Sequence, residues 1–363
     1  MNTVKVKFLI ALAAMLAWSF ASARSFNLSQ PLLCHQQMPS LPANVCAQFN
    51  ISYGSDPLQT FDVYMPQTQT TNAPVILMVH GGGWYQGDKT DTPVVQNKVS
   101  FWVPSGFVFI SVNYPLVPQV NPVQEALSVA QALAYAQFHA SDWGADPRRF
   151  VLMGFSAGGN LVSQLAAEPS LAISLGAQPW LGTVSLDGAA YDVPEIMDSP
   201  HPPEYDQAFG TDFALWMAAS PTLQMYAPIA PFFAVCSTQE DAVCSQAQEF
   251  VNKAKSYGTN ATLLQENMTH GEINANLGLP SSYTTQVNSF IVNLKYGPVP
   301  PRAPEGTDKV RSGTPIRPSQ LRLRRAQSVP NAIHDSYQRT KFKHSIFWQM
   351  QYPPIYNVRV PGN

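Results

Sequence analysis

Gly154-Phe155-Ser156-Ala157-Gly158 stands between an apolar run, Phe150 to Met153, and a helical pattern, Asn160 to Ala167. Between a strand and a helix, G-x-S-x-G sets its serine on a sharp turn with the hydroxyl lifted above the sheet. Glycine at 154 and 158 keeps side chains from crowding that turn. The following helix would aim free N–H groups and its positive dipole end at the same point, where negative charge could develop. The chemistry indicated is nucleophilic attack by Ser156.

A serine hydroxyl is a weak nucleophile unless a base takes its proton, and the base needs a group to orient it. His270, in Met268-Thr269-His270-Gly271-Glu272 just after the last predicted strand, is the best base. His139 precedes the serine on a helix and reads as structural. His201 lies in a proline-rich stretch and is the weaker rival, and His80 reads as shaping a glycine loop. Asp241, in the loop after Pro231 to Val235, is the expected orienting acid, with Glu240 its nearest rival. Asp187 and Asp192 follow an earlier strand and remain alternatives, although turn or capping roles suit them better. A tetrahedral intermediate also needs donors for its oxyanion, and closely approaching backbone requires glycine. Gly81-Gly82-Gly83 after a buried strand meets that need, so the donors are assigned to the N–H groups of Gly82, Gly83 and Ala157.

The elements that must position these groups follow from periodicity. Phe61 to Met65 alternates as a strand does, whereas Val75 to Val79 and Phe107 to Val112 are continuous apolar runs typical of central strands covered on both faces. Pro122 to Phe138 reads as a helix with Pro122 in its first turn. Asp142 to Arg149 reads as a turn. Leu181 to Leu186, Pro231 to Val235 and Ala261 to Leu264 are further strands; Gln246 to Tyr257 and Tyr283 to Tyr296 are helices. Strand and helix alternate, which predicts an α/β fold with a mostly parallel central sheet and helices on both faces. Residues 191–230 are rich in prolines and aromatics with weak periodicity and read as an insertion covering the site.

The chain has 363 residues, 45% of them hydrophobic, enough for one large core. The net charge of −2 hides an asymmetry: after residue 297 there are eleven Lys/Arg against three Asp/Glu, about +8, which leaves about −10 before it. Residues 1–23 read as a signal peptide, with Lys5 and Lys7, an apolar Phe8 to Phe20, and Ala21-Ser22-Ala23 before the cut. The expectation is export, secreted or periplasmic. Residues 24–296 would form the catalytic domain, with 24–50 beginning it as an irregular arm. Residues 297–363 would form a basic, proline-containing, disordered tail; anionic-surface contact through Arg322, Arg324 and Arg325 is its sharper alternative. In an oxidising compartment the four cysteines pair most simply as Cys34–Cys46 and Cys236–Cys244, two short loops that clamp locally.

His80-Gly-Gly-Gly-Trp84, Gly154-Phe-Ser-Ala-Gly-Gly-Asn160 and the order Ser156, Asp241, His270 resemble the α/β-hydrolase esterases and lipases with a His-Gly-Gly-Gly oxyanion motif. That group includes hormone-sensitive-lipase-like esterases and carboxylesterases. The resemblance covers roughly residues 55–295. It implies the α/β-hydrolase fold with an eight-stranded, mostly parallel sheet, and ester hydrolysis with neither metal nor organic cofactor. The expected partner is a small-molecule, carbohydrate or lipid ester, and no nucleic acid. The acid loop departs from the group, because Ser237-Thr-Gln-Glu-Asp241 lacks the glycine often found before the acid. The kynurenine-formamidase group is also similar and leaves an amidase such as an arylformamidase open. A secreted binding protein on a hydrolase scaffold is the alternative from another class.

Overall fold

The computed structural model describes residues 41–294, apart from Gln69, Glu240 and the side chains of Asp241 and Ala242. The signal segment 1–23, Cys34 and the tail 297–363 therefore lie outside the described residues. The eight strands are β1 (Val45–Ser52), β2 (Thr60–Pro66), β3 (Ala73–Val79), β4 (Val108–Val112), β5 (Ala145–Phe155), β6 (Gly182–Leu186), β7 (Phe232–Ser237) and β8 (Ala261–Glu266). They form one sheet in the order β1-β2-β4-β3-β5-β6-β7-β8. Pairing is antiparallel at β1–β2 and β2–β4 and parallel from β4 to β8.

Alternation along the strands sorts the core onto two faces. Val75, Leu77 and Val79 of β3 face one layer, with α2 (Pro122–Phe138) and α3 (Ala157–Ala167) supplying Val129, Leu133, Leu161 and Leu165. α1 is Thr92–Trp102. Ile76 and Met78 face the other layer, where α1 brings Val95, Val99 and Trp102 and the last helix, Ser282–Asn293, brings Tyr283 and Val287. Helices thus cover both faces of the sheet, as the alternating pattern predicts.

Some boundaries differ from the sequence reading. The stretch 24–50 was expected to be irregular, but from Val45 it is β1, the antiparallel edge, paired with β2 through Val45↔Pro66 and Cys46↔Met65. Asp142 to Arg149 is not all turn: a 3₁₀ turn spans Ala140–Trp143, and β5 starts at Ala145 because that residue pairs with Ala73 of β3. The region 191–230 holds four short helices. Counting the turn of helix Ser170–Ile173 as α4, they are α5 (Val193–Met197), α6 (Pro203–Phe209), α7 (Phe213–Ala218) and α8 (Pro221–Gln224). α9 (Asp241–Ser256) begins five residues before the expected Gln246. α10 is His270–Ala275, and Ser282–Asn293 is α11.

α2 shows how local sequence sets an element. Asn121 caps it, accepting from Val123 N and Gln124 N, while Gln124 reaches back to the Asn121 N–H and Pro122 opens the first turn. Its Glu125 is fully buried; Oε1 accepts from Val117 N at 3.2 Å, and Oε2 has no partner among the described residues. Burial pushes this carboxyl up to about 9, so the folded protein holds it protonated. Between about pH 4.5 and 9 folding must then take up a proton that the unfolded chain has lost, and stability falls as pH rises through that window. Glu125→Gln, which keeps the shape without the proton, is expected to become progressively more stable than wild type from pH 5 to 9. The difference should grow by up to about 1.4 kcal/mol per pH unit. Urea unfolding at each pH measures it; a difference independent of pH would show that Glu125 folds ionised.

Candidate active site

The serine turn is made by backbone contact. Ser156 follows β5 directly with φ 54 and ψ −119, a conformation that a side chain tolerates only when its surroundings impose it. Its N–H donates to Leu186 O at 3.0 Å, and its carbonyl accepts from Ala189 N at 3.0 Å. A Cβ on Gly158 would lie 2.3 Å from Val79 O and 2.4 Å from His80 O, so α3 meets the end of β3 with no room for a side chain. Ala157 is the first residue of α3, and its N–H has no acceptor within the helix.

The glycine loop abuts this turn. A Cβ on Gly81 would lie 2.8 Å from the Ser156 Cβ. Gly82 and Gly83 both have positive φ, 118 and 58, which turns the loop over the serine. His80 is the loop's frame. It is buried and stacked on Tyr114 at 4.5 Å, with Nδ1 2.7 Å from Gly81 O. The Tyr114 hydroxyl donates to His80 O at 2.9 Å. Burial lowers the pKa of His80, which favours a neutral ring donating from Nδ1. Trp84 is buried behind the loop, donating from Nε1 to Asn160 Oδ1 at 3.3 Å.

His270 is the first residue of α10, where a loop was expected, and Thr269 and Glu272 form a capping box around it. Its Nδ1 lies 2.7 Å from Asp187 Oδ2, and its ring lies against Phe155 with centroids 4.5 Å apart. The carboxylate at the histidine is therefore Asp187, and the assignment of that position to Asp241 is corrected. Strands β6 and β7 pair in parallel through Leu186↔Val235, so the residues after both leave the sheet at the same end. The Asp187 N–H donates to Val235 O at 2.8 Å, and Asp187 Oδ1 accepts from Ser237 N at 2.9 Å. These bonds turn Oδ2 toward the loop after β8. Asp241, by contrast, already belongs to α9.

The other rivals have local partners. Asp192 caps α5, accepting from Glu195 N at 3.2 Å. His139 lies 2.8 Å from Asp142, and His201 lies 3.2 Å from Asp206 within the insertion. Ser237 appears in the sequence reading only as the start of the Asp241 loop, with no role of its own. Its hydroxyl donates to Met268 O at 2.6 Å, tying the end of β7 to the segment that carries His270. Cys236, next to it, is disulfide-bonded to Cys244 in the first turn of α9. Cys46 is also disulfide-bonded, while its expected partner Cys34 lies outside the described residues.

Ser156, His270, Gly82 and Gly83 line one cavity of about 510 Å³. The insertion adds Glu204 and Tyr205 to its wall. A serine at a strained turn, an imidazole held by a buried carboxylate and a glycine loop beside both make a set suited to acyl transfer.

The BD-FAE family model matches residues 61–172, which include the glycine loop and the serine turn. The chain is 27% identical over 202 residues to the probable carboxylic ester hydrolase LipM of Mycobacterium tuberculosis, covering 51% of this chain and 46% of the relative. It is 32% identical over 146 residues to the carboxylesterase NlhH of the same organism, covering 38% and 44%. The chain thus spans less than half the length of these curated relatives. Among solved structures, esterase B from Lactobacillus rhamnosis superposes with a TM-score of 0.58 at 18% identity, covering 80% of this chain and 93% of that one. A truncated carbohydrate esterase from gut microbiota also gives 0.58, at 17% identity, covering 68% and 95%. Sheet order and solved neighbours agree on the α/β-hydrolase fold, and the curated relatives this chain resembles are carboxylic ester hydrolases.

Proposed function

We propose that the protein hydrolyses carboxylic esters through an acyl-enzyme, with Ser156 as nucleophile, His270 as base and Asp187 as the orienting acid. The observation that carries this reading is the 2.7 Å contact between Asp187 and His270 at a cavity lined by Ser156 and the glycine loop. With Nδ1 bonded to Asp187, Nε2 is the nitrogen left to take the serine proton. Ser156 Oγ attacks the ester carbonyl, and His270 passes the proton to the leaving alcohol. Asp187 stabilises the imidazolium as it forms. The N–H groups of Gly82, Gly83 and Ala157 receive the oxyanion, each donor being worth roughly 10²–10³ in rate. Water activated by His270 then releases the acid.

The reading extends to export into an oxidising compartment. The apolar leader pattern supports it, as does the Cys236–Cys244 bridge, since such bonds persist where thiols are not kept reduced.

Ser156→Ala is expected to lose fluorophosphonate labelling and p-nitrophenyl ester turnover while keeping the wild-type circular dichroism spectrum. Among the esters, short to medium acyl chains should be favoured over palmitate, because a cavity of about 510 Å³ must hold both acyl and alcohol parts. A folded alanine variant that still turns over ester would remove Ser156 from the mechanism.

Asp187→Asn should lower kcat by about 10⁴-fold, as expected when the imidazole loses its orienting carboxylate. Asp241→Asn should stay within about threefold of wild type, a change of roughly 0.6 kcal/mol in the barrier. Steady-state kinetics on the two variants decides between the carboxylates, and the reverse ranking would return the role to Asp241.

A further inference from the structure

Resting on the esterase reading, we propose that Glu204 is the charge-selecting residue of the active-site cavity and that the preferred substrate is an ester bearing an ammonium group. Glu204 lies on α6 within the insertion and lines the cavity together with Ser156 and His270. It is half-buried, and a Cβ on Gly83 would come 3.4 Å from its own Cβ, so it stands directly beside the glycine loop. Its carboxylate makes no hydrogen bond or ion pair among the described residues.

The helix that carries Glu204 is well anchored. The next residue, Tyr205, packs edge-on against Trp84 at 5.5 Å and donates its hydroxyl to Ala189 O at 2.7 Å. Phe209, one turn on, packs on Trp84 at 4.8 Å. An unpartnered carboxylate is thus held at the cavity wall by contacts that do not involve it.

Other acids near the cavity differ in this respect. Asp88 accepts from Thr90 and Asn113, and Glu195 accepts from Gln246. No Lys or Arg is among the described residues that line this cavity or the two that adjoin it. Residues 41–294 hold six Lys/Arg against twenty Asp/Glu, so the surrounding field is negative and draws cations toward a cleft. Tyr85, Tyr205 and Phe155 supply aromatic surface in the same cavity. Rings beside a carboxylate suit a weakly hydrated ammonium group and oppose an anionic one.

The test compares kcat/KM for three matched thioesters: butyrylthiocholine, its uncharged 3,3-dimethylbutyl counterpart, and the anionic 3-(butyrylthio)propanoate. Wild type should prefer the cation over the neutral compound by about tenfold, the scale of one charge contact in a partly water-accessible site, and the anion should be poorest. The ratio should shrink with added salt. Glu204→Gln should bring the cation-to-neutral ratio close to one; being a ratio, it is insensitive to the active fraction of the sample. Calorimetry on Ser156→Ala protein, comparing choline with 3,3-dimethylbutan-1-ol, reads the same selection without turnover. Failure to cleave p-nitrophenyl butyrate would overturn the esterase reading, with the calorimetric comparison still deciding the charge selection. Equal binding and turnover of cation and neutral isostere, or a cation preference that survives in Glu204→Gln, would overturn the role of Glu204.

Discussion

The Val79 and His80 carbonyl oxygens lie where a side chain on residue 158 would begin. That contact between α3 and the end of β3 fixes how the rest of the site is assembled. It lets the first turn of α3 rest on the strand that feeds the glycine loop, so Ser156 and Gly81 meet almost backbone to backbone. Ser156 accepts a backbone conformation that costs on the order of 1–3 kcal/mol. The cost is offset by the burial of every residue of α3 from Ala157 to Ala167. A larger residue at 158 would drive the helix from the strand, displacing Ser156 and the glycine loop from one another.

Elements whose causes are local were legible in the sequence. Val75 to Val79 reads as a central strand because all of it is covered, and α2 runs from Pro122 to Phe138 as its cap and proline require. Elements whose causes lie elsewhere in the chain were not. β1 lies at the sheet edge and pairs with β2 alone among the described strands, while Lys89 and Trp143 reach its Asn50 and Gln48 from elsewhere in the chain. α1 has buried positions Val94, Val95, Lys98, Val99 and Trp102, and the lysine interrupts its apolar stripe. Lys98 is tolerated there because its Nζ donates to Pro93 O and to both the carbonyl and side-chain oxygens of Asn274. No periodicity argument exposes such a partner.

The acid shows the same limit at the site. Asp187 directly after a strand has the ordinary appearance of a turn residue, and its φ of 45 fits one. What selects it is the β6–β7 register, which places the Val235 carbonyl and the Ser237 amide where Asp187 can use both. The serine turn and the glycine loop were readable because each is a contiguous sequence with its own geometry. The acid was not, because its position is a property of two strands and a bond between their ends.

That dependence explains why the loops after β6, β7 and β8 are joined to one another. Asp187 bonds to Ser237, Ser237 bonds to Met268, and Asp187 bonds to His270 two residues further on. The Cys236–Cys244 bridge continues the same chain of contacts into α9, where Val243 borders the cavity. The start of α9, from which the acid was expected, instead forms part of the wall. Asp187 and His270 are thus held by strand register and by bonds between strand ends. The insertion at 191–230 contributes Glu204 and Tyr205 to the cavity without carrying any residue of the Ser156–His270–Asp187 set. Its sequence can change the cavity wall while the bonded Asp187–His270 pair stays in place.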